Sequence, residues 1–123
     1  MDDLILGTME TRLAELIWVN APLTTADLVR LCGEEFDWKR TTTYTMLKRL
    51  CQRGIFQMEN SRITVLMSRE EFMGKRSRSF IAETFGGSLP AFLAAFTGGK
   101  KLSQQEADLL QKLIDESRKE EKQ

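Results

Sequence analysis

The run Arg40-Thr-Thr-Thr-Tyr-Thr-Met-Leu-Lys-Arg-Leu-Cys-Gln-Arg53-Gly54, followed by Ile55-Phe-Gln-Met-Glu59, Asn60-Ser-Arg62 and Ile63-Thr-Val-Leu-Met67, decides how the rest of this chain is read. Leu47, Leu50 and Cys51 recur at helical spacing and Gly54 is a stop, so a helix is expected from about Arg40 to Arg53. The two apolar runs beyond it have strand character, and the three residues between them are turn formers. Together they read as a short β-hairpin. A helix that flows directly into a hairpin is the second half of a winged helix, provided two more short helices precede it.

They do. Upstream, Met9, Leu13, Leu16 and Ile17 share one face of a helix over residues 9–20, ended by Asn20 and Pro22. Thr24 is placed to cap a second helix, with Asp27 three positions on at its positive end. Leu28, Leu31 and Cys32 form its apolar face, and Gly33 is expected to close it. Downstream, Ser68-Arg-Glu-Glu71 is a capping box for a helix reaching Phe85 before Gly86-Gly87. Ser88 opens another helix with Pro90 in its first turn, ended by Gly98-Gly99. Ser103-Gln-Gln-Glu106 caps the last, where Leu110, Leu113 and Ile114 share a face and Asp108–Lys112 and Asp115–Lys119 are spaced to pair on the other. The expected fold is mainly α with a small β-hairpin. A winged helix-turn-helix domain occupies residues 1–69, and a three-helix dimerisation region occupies residues 70–123.

Composition narrows the chemistry. The 123 residues carry 18 Lys and Arg against 18 Asp and Glu, so the net charge is zero; 41% are apolar. Histidine is absent, which removes His acid–base catalysis, Ser-His and Cys-His nucleophiles and most zinc hydrolase sites. No spacing suggests a carboxylate pair or an activated lysine, so no enzyme is expected, and no cofactor or metal. Cys32 and Cys51 lie inside apolar helical patterns rather than in a CxxC, as free thiols of a reducing cytoplasm do. No apolar run approaches the ~20 residues a spanning helix needs, and the start at Met1-Asp-Asp-Leu4 is acidic where a signal peptide is basic. Cytoplasmic localisation without membrane insertion is the expectation.

Zero net charge conceals a local excess. Between Trp38 and Arg62 stand Lys39, Arg40, Lys48, Arg49, Arg53 and Arg62 against Glu59 alone. A cluster of this kind is often only a solvated helix face, but this one coincides with the two elements that a winged helix presents to DNA. Placing Leu47 and Leu50 inward turns Thr43 in and Thr41, Thr42, Tyr44, Thr45 and Lys48 out. Short threonine side chains suit base edges or phosphates approached by a helix N-terminus, although some, Thr41 foremost, could simply cap. The candidate DNA contacts are Thr41, Thr42, Tyr44 and Thr45, with Lys48, Arg49 and Arg62 on phosphates.

The stretch Leu89-Pro-Ala-Phe-Leu-Ala-Ala-Phe96 is apolar on every side and must be covered on every side. Two flanking helices cannot do that, whereas a second copy can. A homodimer is expected, its interface built from Phe80, Leu89, Phe92, Leu93, Phe96, Leu110, Leu113 and Ile114. Phe72 and Phe85 are expected to close round it.

The chain resembles the BlaI/MecI/CopY repressors, the penicillinase repressor family, from about Met9 to Ser117. The resemblance is carried by Glu15-Leu-Ile-Trp18, Pro22-Leu-Thr24, Trp38, and a third helix holding Thr42, Thr45, Leu47, Arg49-Leu50 and Gly54. Ser68-Arg-Glu-Glu-Phe72, Phe85-Gly-Gly-Ser-Leu89, Phe96 and Leu102-Ser103 continue it. It implies a dimeric winged-helix repressor of double-stranded DNA operators near β-lactam-resistance or metal-transport genes. It also implies, for the penicillin-responsive members, a membrane sensor-protease system that leads to cleavage just before a phenylalanine aligned with Phe96. The corresponding bond here is Ala95–Phe96, where those members carry Asn before the bond. The copper-responsive members end in a cysteine-rich metal motif that this chain does not have. The family usually carries Lys or Arg at the position of Tyr44, and Ser or Thr at that of Lys39. The alternative from another class is a winged helix that docks proteins through the same helix and hairpin without specific DNA binding.

Overall fold

A computed structural model describes residues 5–121, so the acidic Met1–Leu4 segment lies outside the described residues. The chain runs α1 (Thr8–Asn20), β1 (Leu23–Thr24), α2 (Thr25–Phe36), α3 (Arg40–Gln52), β2 (Phe56–Glu59), β3 (Arg62–Val65), α4 (Arg69–Thr84), α5 (Leu89–Gly99) and α6 (Gln104–Glu121). It divides into two compact units, Met1–Phe80 and Ile81–Gln123.

The first unit is a winged helix. Its sheet has the order β1-β3-β2, all antiparallel, so the hairpin is joined by a strand the periodicity did not announce. β1 is only two residues long, too short for an alternating pattern, and exists because Leu23 and Thr24 pair with Ile63 and Arg62. Asn60 and Ser61 both have positive φ, which gives the two-residue turn that matches strand twist and makes Arg62 the first residue of β3 rather than part of the turn. Leu13, Ala14 and Ile17 of α1, Leu28 and Cys32 of α2, Leu47 and Leu50 of α3, and Ile55, Phe56 and Ile63 of the wing are all buried together. Burying a set of such side chains, at about 1.5–3 kcal/mol for each large one, is what holds three short helices that would not persist alone.

Two expectations need correcting here. α2 does not stop at Gly33. It continues to Phe36 and ends on Asp37, which takes the left-handed conformation with its N–H bonded to the Cys32 and Gly33 carbonyls. The extra turn lets Phe36 pack on Trp38, ring centroids 4.9 Å apart, with Arg12 over its face, and this packing outweighs the modest cost of an internal glycine. Phe72 does not face an interface: it is 2% exposed and lies in the winged-helix core. Trp18 explains why. Its ring meets Phe56 at 5.5 Å and Phe72 at 5.4 Å, and its indole N–H donates to the Met67 carbonyl at 3.0 Å, so one side chain ties α1 to the wing and to the start of α4.

Helix starts follow their caps. Thr24 accepts from the Asp27 N–H, Ser68 and Glu71 form a reciprocal box, Ser88 accepts from Ala91, and Ser103 and Glu106 repeat the box. In the second unit, Phe92 meets Phe85 edge-on at 5.5 Å and Phe96 at 6.2 Å. On α6, Asp108 and Asp115 accept amide hydrogen bonds from Gln104 and Gln111 rather than pairing with Lys112 and Lys119. Exposed i, i+4 ion pairs are worth only tenths of a kcal/mol, so an amide competes with them readily.

Candidate nucleic-acid interface

α3 begins poorly for a helix, with four threonines in five positions and Lys39 as an N-cap that offers no side-chain hydrogen bond. The threonines do not cap it, Thr41 included. Instead Thr43 Oγ1 donates back to the Lys39 carbonyl at 3.2 Å, and Thr45 Oγ1 to the Thr41 carbonyl at 2.9 Å. Burial of Thr43, Leu47 and Leu50 at spacings of four and three fixes the helix's rotation. Thr41, Thr42, Thr45, Lys48 and Arg49 are consequently exposed, and Tyr44 is half-buried at the edge of that face. Because the Thr45 hydroxyl spends its proton on the backbone, it presents acceptor lone pairs and a methyl group outward. It can therefore accept from an adenine or cytosine amino group or pack on a thymine methyl.

The cations of residues 38–62 sort by what they do inside the protein. Arg53 is committed: its Nε lies 3.1 Å from Glu10 Oε2, and both side chains are largely covered. The Glu10 carboxylate also accepts from the Gly7 N–H, so the pair locks the start of α1 to the end of α3. Lys39, Arg40, Lys48, Arg49 and Arg62 are exposed and have no carboxylate within 4 Å among the described residues. Elsewhere in the winged helix, Arg30 pairs with Asp27 and Glu34, and Arg69 with Glu15 at 2.7 Å, which raises the Arg69 guanidinium. The excess positive charge of the third helix and hairpin is thus left uncompensated and turned to solvent. Arg49 Nη1 donates to the Met46 sulfur at 3.7 Å. Arg62, across the hairpin from Glu59, stands beside the turn.

Counting charges along the chain put Arg53 and Arg40 in one class, and the structure separates them. Arg40, first residue of α3, lays its guanidinium over the Tyr44 ring, 5.2 Å from the centroid. The i, i+4 spacing of Arg and Tyr was the available signal.

Burial pushes the Cys32 thiol up, opposed by a hydrogen bond with Thr43, and burial pushes Cys51 up, opposed by the Met58 backbone. Both are free thiols held protonated.

The second set of candidate residues has a different character. Phe80, Leu89, Phe96, Leu113 and Ile114 are exposed, Leu89 by 63% and Leu113 by 61%, while Phe92, Leu93 and Leu110 are half-buried. An apolar groove of about 380 Å³ runs between α5 and α6, lined by Phe92, Leu93, Phe96, Leu102, Leu109, Leu110 and Leu113, with Glu106 at its edge. Leu102 and Leu109 were missed. Leu109 stands at i, i+4 from Leu113, a second stripe beside the single face that was read. Ala95, before Phe96, is exposed as well. Among the described residues no single helix is long and apolar enough to cross a membrane.

The family model described as penicillinase repressor matches residues 6–116. A penicillinase repressor from Bacillus licheniformis is 22% identical over 111 residues, which cover 87% of each chain.

Proposed function

The chain belongs to the penicillinase repressor family of DNA-binding transcriptional repressors, and from that premise we propose that it works as a homodimer whose two α3 helices read an operator. The observation that carries this reading is the set of five cations on α3, its cap and β3 that have no carboxylate within 4 Å among the described residues. Lys48, Arg49 and Arg62 engage phosphates, while Thr41, Thr42, Tyr44 and Thr45 face the groove and sense bases. Residues 1–69 form the DNA-binding domain, with Phe72 from the first turn of α4 closing its core, and the chain beyond that turn forms the dimerisation region. Dimerisation would set two recognition helices about 34 Å apart, so each protomer's weak grip is multiplied by the other's. The resemblance supports an operator near β-lactam-resistance or metal-transport genes. It also supports a membrane sensor-protease system upstream, in a cytoplasmic setting, with Ala95–Phe96 as the bond aligned with the family's cleavage site, although Ala95 replaces the Asn of the penicillin-responsive members.

The test is binding of the full-length protein to duplex DNA from the region around its own gene, followed against salt. Displacement of counterions by five to ten phosphate contacts per dimer makes affinity fall by about 500-fold or more between roughly 50 and 200 mM salt. A complex that ignores salt, or no complex at all, would favour the reading of the helix and hairpin as a protein-docking face.

A further inference from the structure

Arg40 is distinguished from the other uncompensated cations of the winged helix by being held in place. Lys39, Lys48 and Arg62 end in solvent without an ion-pair partner among the described residues, and Arg49 bonds there to a methionine sulfur. Arg40 instead rests over Tyr44, 5.2 Å from the ring centroid, one helical turn further along the same exposed face as Thr41 and Thr45. A cation over an aromatic face within about 6 Å is attracted to it, and the planar guanidinium keeps its edge donors free while its face is occupied. That leaves a fork of N–H donors restrained at the leading end of α3. A phosphate needs no such restraint, since a mobile lysine neutralises it equally well. A base edge does, because two hydrogen bonds must be met at once.

We propose that Arg40, positioned by the Tyr44 ring, is a specificity-determining residue that reads one guanine per operator half-site through O6 and N7 in the major groove. The assignment rests on the DNA-binding reading above and deepens it. Besides facing the groove, Tyr44 then also positions Arg40, and its hydroxyl is dispensable to that second task. Arg40 and a neighbouring threonine divide the work: the arginine selects guanine by donating, and Thr45 selects an amino-bearing base or a thymine methyl by accepting or packing.

The experiment is selection of binding sites from a randomised duplex pool by the full-length protein, repeated for Arg40→Ala, Tyr44→Phe and Tyr44→Ala. The wild type should select a half-site with one strongly preferred guanine. Arg40→Ala should erase that preference, a loss on the order of tenfold, and keep the other selected positions. Tyr44→Phe should retain the guanine preference, and Tyr44→Ala should weaken it at the same position. Replacing that guanine by 7-deazaguanine, which lacks the N7 acceptor, should weaken the wild type and leave Arg40→Ala unaffected. An unchanged motif in Arg40→Ala overturns the assignment, as does a uniform loss on all sequences with a shallower salt slope, which would mark Arg40 as a phosphate contact. Salt-sensitive binding by the wild type with no selected motif would overturn the sequence-reading role itself, and Arg40's with it.

Discussion

The two compact units of this chain solve the problem of apolar surface in opposite ways. In Met1–Phe80 thirteen of the described apolar residues are buried, contributed by three helices, three strands, the first turn of α4, and Leu6 and Ile55 beside them. In Ile81–Gln123 no described apolar residue is buried, although α5 is almost entirely apolar. Yet both are helical and both are well capped. The difference is in what surrounds each apolar face. In the winged helix, Trp18 alone gathers Phe56, Phe72 and the Met67 carbonyl around one ring. In the second unit Leu89, Phe96, Leu109, Leu113 and Ile114 stay open to water, far more large apolar surface than a short segment carries without a use for it. Secondary structure is therefore complete within one chain, whereas among the described residues a buried apolar core forms only in the first unit, which itself leaves Val19, Leu66 and Phe80 open to water. A second copy is the occupant we propose for the other.

The largest effect on operator binding should come from attacking the unfinished unit. Phe92→Asp would bury an unpaired charge in the dimer and should leave a monomer whose operator affinity is lower by about a hundredfold or more, since the gain from two linked half-sites is lost. Thermal unfolding of the winged helix should hardly change, and a large drop in its stability would break the comparison. Phe72→Ala attacks the finished unit. It removes a large core side chain and should cost about 3–5 kcal/mol in denaturant unfolding, with the oligomeric state preserved. A variant that lost dimerisation but not stability would return Phe72 to the interface. Next comes Arg53→Ala, which strands the nearly buried Glu10 carboxylate. A cost of about 2–3 kcal/mol is expected after discounting for the pair's remaining solvent access, with little change in the salt dependence of DNA binding. The smallest effects lie on the exposed face of α3. Thr45→Ala should weaken specific operator binding by about 1–3 kcal/mol and spare non-specific binding, whereas Lys48→Ala should weaken both and flatten the salt slope. Equal losses on every sequence from the threonine change would remove Thr45 from base recognition.

Much of the fold was legible because it is written locally. The rotation of α3 followed from Leu47 and Leu50, and the capping boxes at Ser68 and Ser103 marked two helix starts to the residue. What escaped was settled by long-range contacts. β1 exists only because β3 lies beside it, and Gly33 fails to end α2 because Phe36 has Trp38 and Arg12 to meet. Phe72 looked like its neighbours in α4, and only the position of Trp18 assigns it to the core. The candidate DNA face was legible as a charge excess, but not which cations composed it. Arg53 is spent on Glu10, forty-three residues away in sequence, and no local pattern reveals that.

Sedimentation equilibrium of the full-length chain beside its residues 1–80, at micromolar concentration, tests most directly whether the second unit is finished by a second copy. The account predicts a dimer for the full chain and a folded monomer for residues 1–80, with tight operator binding confined to the dimer. A full-length monomer that still binds operator tightly would contradict it.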